Sequence, residues 1–190
     1  MNIYSLKDIQ SLTNTEQYFN YSDAYLSAAE VLCLKICHSN INVSYADGAV
    51  IMSLTFHAEE LFLKAAISKR EPTFKYGKKG HDLVYLNTKF VELFPDNKFR
   101  FNLIFNRRLP TAQELSETYK IEIKDATELL LHTEKHNADL PEDQLHRYPF
   151  SKDNNAWRAL LGFEPHSFLD NIKQLKRELK NIKILILSND

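Results

Sequence analysis

Ser53, His57, Glu60 and Lys64 recur at spacings of four, three and four along an otherwise apolar stretch. On a helix those spacings put all four side chains on one face. A carboxylate, an imidazole and an ammonium held together can grip an anion or move a proton. Glu60 and Lys64 stand in the acid-before-base order that favours an i,i+4 ion pair. Burying such groups is costly unless they are paired. The stripe therefore either lines a groove or forms an internal polar network. Two further segments belong with it. In Lys78-Lys79-Gly80-His81-Asp82, Asp82 suits the start of a helix, where a carboxylate accepts backbone N–H groups. His81 either fixes the loop against the preceding helix or faces Glu60 and Lys64 in a groove open to a ligand. In Arg147-Tyr148-Pro149, the arginine is either a buried anchor for Glu60 or Asp82, or a phosphate contact with Tyr148 as a stacking surface. The expected ligand-binding set is Glu60, Lys64, His81, Asp82, Arg147 and Tyr148, with Lys78 and Lys79 at its rim.

These residues need elements to position them. Tyr45 to Arg70 is one long helical pattern, ended before Pro72. Val50, Leu54, Ala58, Leu61 and Ala65 make one apolar face, and Ile51, Met52, Phe56, Phe62, Ala66 and Ile67 fill most of the rest. A helix apolar nearly all round is a central one. Ser22 to His38 reads as a second helix with Tyr21, Ala24, Tyr25, Ala28, Leu32 and Ile36 as its apolar face. Asp82 to Leu93 is a third, and Phe99 to Asn106 a short apolar element. Thr111 and Glu114 have capping-box spacing, opening a helical run to His136 that is interrupted near Lys120 to Lys124. From Ser167 the residues Phe168, Ile172, Leu175, Leu179, Ile182 and Ile186 form a seam spaced 4-3-4-3-4, a candidate face for a dimer. No convincing strand pair is present. The expected fold is all-α: an antiparallel bundle of four to five main helices with short additional ones.

The 190 residues fit a single domain, with 1–19 as a peripheral N-terminal segment. An apolar fraction of 44% beside 26% charged residues is that of an ordinary globular chain. No apolar run is long enough to span a membrane, and Lys7, Asp8 and Glu16 interrupt anything resembling a secretory signal, so a cytoplasmic protein is expected. The net charge of −1 hides local asymmetry. Lys64 to Lys79 holds six Lys or Arg against one Glu, and Lys173 to Lys183 five against one. Glu114 to Asp143 holds nine acids against three lysines. The two basic runs are either solvated faces or one local anion-attracting patch.

The run Phe56-His57-Ala58-Glu59-Glu60-Leu61-Phe62-Leu63-Lys64-Ala65, a variable loop, and then Gly80-His81-Asp82-Leu83 resembles the HEPN (higher eukaryotes and prokaryotes nucleotide-binding) domain. Arg147-Tyr148-Pro149 resembles an Arg-Tyr-Pro element of some branches. The resemblance spans roughly Asn20 to Leu187, though its motifs occupy only about 40 residues. It implies a helical homodimer that binds a nucleotide, RNA or a partner protein, in settings such as toxin–antitoxin pairs, antiviral defence or nucleotide-linked regulation. Catalytic members are metal-independent RNases that carry Arg, four to six residues, then His. Here Arg147 has no such His, and Arg158 and His166 are separated by seven residues that include Gly162 and Pro165. The resemblance thus implies a non-catalytic member without cofactor. The alternative is an RNase using His81 or His166 with Arg147 or Arg158 in an unusual arrangement.

Other patterns carry less. Cys33 and Cys37 sit four apart without the Cys-x-x-Cys spacing of a redox or metal pair, and read as core residues. His132 and His136 lack the glutamate that a zinc protease places directly after the first histidine, Thr133 standing there instead. Ala112 to Leu130 resembles a helix-turn-helix, yet its second half offers Glu122, Asp125 and Glu128 where DNA would require cations. It reads as an amphipathic bundle helix.

Overall fold

The computed structural model describes residues 12–39, 44–104, 111–137 and 165–188. Within them lie six α-helices, two short 3-10 turns and no strand. The helices are α1 (Asn14–Cys37), α2 (Tyr45–Arg70), α3 (Leu83–Leu93), α4 (Ala112–Tyr119), α5 (Ile123–Asn137) and α6 (Pro165–Ser188). The 3-10 turns, Gly77–Lys79 and Asn97–Phe99, flank α3. The architecture is the expected all-α bundle.

α2 has the expected bounds. Ser44 and Asp47 close a reciprocal capping box at its start, and Glu71 ends it just before Pro72. From Thr55 to Ile67 every residue but the half-buried His57 is buried. The expected face is only partly covered: Val50 is 51% exposed and Leu54 half-buried, whereas Ala58, Leu61 and Ala65 are buried.

α1 begins eight residues before the expected Ser22, so residues 14–19 belong to the bundle and not to a peripheral segment. The cause is a capping box. The Thr13 hydroxyl accepts from the Glu16 backbone N–H, and the Glu16 carboxylate accepts from that of Thr13. With the helix extended, its buried stripe runs through Phe19, Ser22, Leu26, Ala29 and Cys33. Tyr21 and Leu32, expected on the buried face, are exposed.

α1 and α2 run antiparallel, with Phe19 against Phe62, the Ser22 hydroxyl donating to the Ala58 carbonyl at 2.7 Å, and Tyr25 against His57. α6 runs antiparallel to α1, fixed at one end by Cys33 Sγ on the Pro165 carbonyl and farther along by Lys176–Glu30 and Lys183–Asp23 ion pairs. The α6 seam is internal. Ile172, Leu175, Leu179, Ile182 and Ile186 are buried against α1 and α2 within one chain, which removes this seam as the face of a dimer.

A chain of aromatic contacts, Phe19–Phe62–Phe101–Phe90–Phe94–Phe99, carries the core from α1 across α2 to α3 and the segment after it. The buried Glu59 carboxylate anchors that segment by accepting from the Ile104 backbone N–H at 2.6 Å. α4 and α5 form a hairpin joined through Lys120, whose left-handed φ of 54° ends α4. The hairpin buries Leu115 and Ala126 apart from the main core cluster. The helical run from Thr111 is thus interrupted where expected, near Lys120, and its helix-turn-helix path has an acidic second helix.

Candidate functional site

α2 is buried where it carries Glu60, and this gives the site its character. Both the Glu60 residue and its carboxylate are inaccessible to solvent. Its Oε1 accepts from the Lys64 ammonium at 2.7 Å, one helical turn on. The same oxygen lies 3.1 Å from His81 Nδ1. Its Oε2 lies 3.6 Å from His57 Nδ1, one turn back, which is an electrostatic contact longer than a hydrogen bond. Burial alone would push the Glu60 carboxyl up. The His57 imidazole, the Lys64 ammonium and the His81 ring outweigh burial and bring it down to about 2. Glu60 is therefore an anion throughout the neutral range.

An ionised Glu60 fixes the proton on His81. Facing a carboxylate, Nδ1 must carry hydrogen and donate it. The His81 side chain is 61% exposed, so Nε2 is the nitrogen left for a ligand. Lys64 is mostly buried and its carbonyl accepts from the Tyr76 hydroxyl at 2.8 Å. The Tyr76 ring lies under the ammonium, 5.4 Å from its centroid, and the hydroxyl also bonds Ser68. Burial pushes the Tyr76 phenol up, so it stays neutral.

The loop backbone brings His81 to this point. Gly77 adopts a left-handed φ of 57°. Gly80 packs so closely on Tyr76 that a Cβ there would stand 2.9 Å from the tyrosine Cβ. Asp82 then caps α3 by accepting from the Tyr85 backbone N–H at 3.0 Å. Its place in the expected set is thus that of a helix start beside the ligand groups. Lys79 is exposed and its ammonium lies 5.5 Å from the Tyr85 ring centroid.

Of the expected set, the structure brings Glu60, Lys64 and His81 into contact. Lys78 lies in the 3-10 turn. Arg147 and Tyr148, and Arg158 of the alternative, lie outside the described residues. His166 stands in the first turn of α6, beside the Pro165 carbonyl that accepts from Cys33. Two participants escaped the sequence reading. Tyr76 looked like one more residue of a basic loop. His57 belonged to the stripe but was not assigned to the site. It lines a cleft of about 440 Å³ between α1 and α2, whose walls include Tyr18, Tyr21 and Tyr25.

Among the described residues no group of His, Cys, Asp and Glu is arranged to hold a metal ion, and no helix is long and apolar enough to cross a membrane. Compared with known proteins, the chain matches no family model, and it matches no curated protein and no solved structure at a significant level.

Proposed function

We propose that the chain is a HEPN-like helical protein that binds the phosphate of a nucleotide, free or within single-stranded RNA, at His81 and the basic loop before it. One observation carries this reading: a buried, ionised Glu60 grips Lys64 and His81 together while the His81 side chain stays 61% exposed. An internal network that served stability alone would cover its histidine. Here the imidazole stands exposed just after Lys75, Lys78 and Lys79 in the chain, a run of positive charge that attracts phosphate. A homodimer, a partner protein and a role in defence or in a toxin–antitoxin pair accompany the reading through the family resemblance, and a cytoplasmic location through the sequence's lack of an apolar span or secretory signal.

The test is fluorescence anisotropy with a labelled single-stranded RNA and with AMP as competitor, at two salt concentrations and without added metal. Binding that weakens about tenfold in His81→Ala, and whose salt dependence becomes shallower in Lys79→Ala, is the expected result. Equal affinity of wild type and both variants would remove the reading.

The His81–Glu60 pair also supports a second reading. A histidine held by a carboxylate through Nδ1 presents Nε2 as a proton acceptor, which is what attack by a ribose 2′-hydroxyl requires. Metal-free cleavage of total RNA by the purified protein, abolished in His81→Ala, would favour the RNase.

A further inference from the structure

The cleft between α1 and α2 takes no part in the phosphate contacts described above, and is linked to them through His57 and the Glu60 carboxylate. Asn14, Tyr18, Tyr21 and Tyr25 follow one another at spacings of four, three and four, so α1 presents them as one stripe. His57 and Leu61 of α2 complete the lining. Tyr25 meets the His57 ring edge-on, with centroids 4.6 Å apart. Tyr21 is 53% exposed, so its ring is accessible along this stripe. The His57 Nδ1 atom is buried and has no hydrogen-bond partner.

The cleft and His81 flank a single carboxylate. His57 Nδ1 lies 3.6 Å from one oxygen of Glu60 and His81 Nδ1 lies 3.1 Å from the other. The two imidazoles are therefore no farther apart than the length of a nucleoside. Tyrosine rings offer a face to any planar heterocycle, and stacking of this kind tolerates all bases. The Asn14 amide at the end of the stripe can donate to and accept from a base edge.

We propose that the Tyr18–Tyr21–Tyr25 stripe over His57 is a nucleobase site, taking the base of the nucleotide whose phosphate meets His81. This rests on the phosphate-binding reading and adds to it the chemical class of the remaining half of the ligand. The carboxylate between the two halves orients the histidine on each side.

The experiment compares a labelled single-stranded RNA hexamer with an abasic ribose-phosphate hexamer of the same charge, each titrated into the full chain. The variants are Tyr21→Ala, Tyr21→Trp and His81→Ala. Tyr21 is exposed, so its replacement leaves the core intact, and circular dichroism of each variant checks this. The expected result is that Tyr21→Ala weakens binding of the intact hexamer about tenfold, that Tyr21→Trp restores it, and that neither changes binding of the abasic one. His81→Ala should weaken both. Displacement of the labelled hexamer by AMP alone assigns the site to a free nucleotide, and resistance to AMP assigns it to a residue of a strand. Equal affinity of wild type and Tyr21→Ala for the intact hexamer, with His81→Ala still weakening it, would overturn the base site and leave the phosphate site standing. Failure of wild type to bind either hexamer or AMP would overturn both.

Discussion

Glu60 is the residue on which the polar stripe turns. Its carboxyl is held at about 2, below its ordinary value of 4.5, although burial acts in the opposite direction. A group whose folded-state value is depressed adds stability that is fully present above the unfolded value. That stability is lost as pH falls from about 4.5 through 2. The shift corresponds to roughly 3 kcal/mol. Urea melts between pH 7 and pH 3 should show more than half of this loss. In Glu60→Gln the acid dependence should flatten, while stability at pH 7 falls by about 3–5 kcal/mol because Lys64 remains buried without its anion. An unchanged acid limb in Glu60→Gln would mean that other carboxylates govern acid unfolding. Gly80 gives a second test at this scale. A Cβ 2.9 Å from that of Tyr76 forces the loop to shift. Gly80→Ala is therefore expected to disturb His81 more than the core, weakening ligand binding while the melting temperature changes by only a few degrees. A variant with wild-type binding would show that the loop accommodates the methyl without moving His81.

At the scale of elements, α2 was legible in the sequence because its signals agree. Pro72 and the largely apolar helical run from Tyr45 point to the same bounds, and the Ser44–Asp47 box closes the first of them. Burial along it divides the leucines. Leu63 is fully buried, and Leu63→Ala should cost about 2–5 kcal/mol. Leu54, half-buried, should lose clearly less on the same change. Denaturant midpoints of the two variants give the comparison, and equal losses would contradict the packing described. α1 was less legible. The Thr13–Glu16 capping box lies in a mixed segment without apolar periodicity, and missing it rotated the apparent face. Tyrosines that flank a cleft were then taken for a core stripe, because spacing alone does not distinguish a buried aromatic from one lining a surface. The grouping of Glu60, Lys64 and His81 could be read from spacing and cap chemistry. The part played by Tyr76 could not, since it depends on a left-handed Gly77 folding the loop back.

The whole molecule places its charges and its apolar surface differently from their order along the chain. The basic run of α6 is partly spent on ion pairs along the α1–α6 surface, where Lys176 and Lys183 pair with Glu30 and Asp23 of α1. Exposed pairs of this kind add little stability, but they draw those cations away from a common patch with the loop before His81. The α6 seam likewise serves the monomer's own core, so a homodimer would use another surface. The two arrangements differ in how stability responds to concentration. A seam that formed an interface would tie folding to association, and the melting temperature would rise with protein concentration. A seam internal to one chain gives a concentration-independent midpoint. Leu179, which is 2% exposed, decides between them. Leu179→Ala should lower stability by about 2–5 kcal/mol by leaving a cavity among α1, α2 and α6. That loss should be the same at 1 µM and at 100 µM protein, with the sedimentation coefficient of the folded variant equal to that of the wild type. A loss that shrinks as the protein is concentrated, together with a lighter species in sedimentation, would return the seam to the interface.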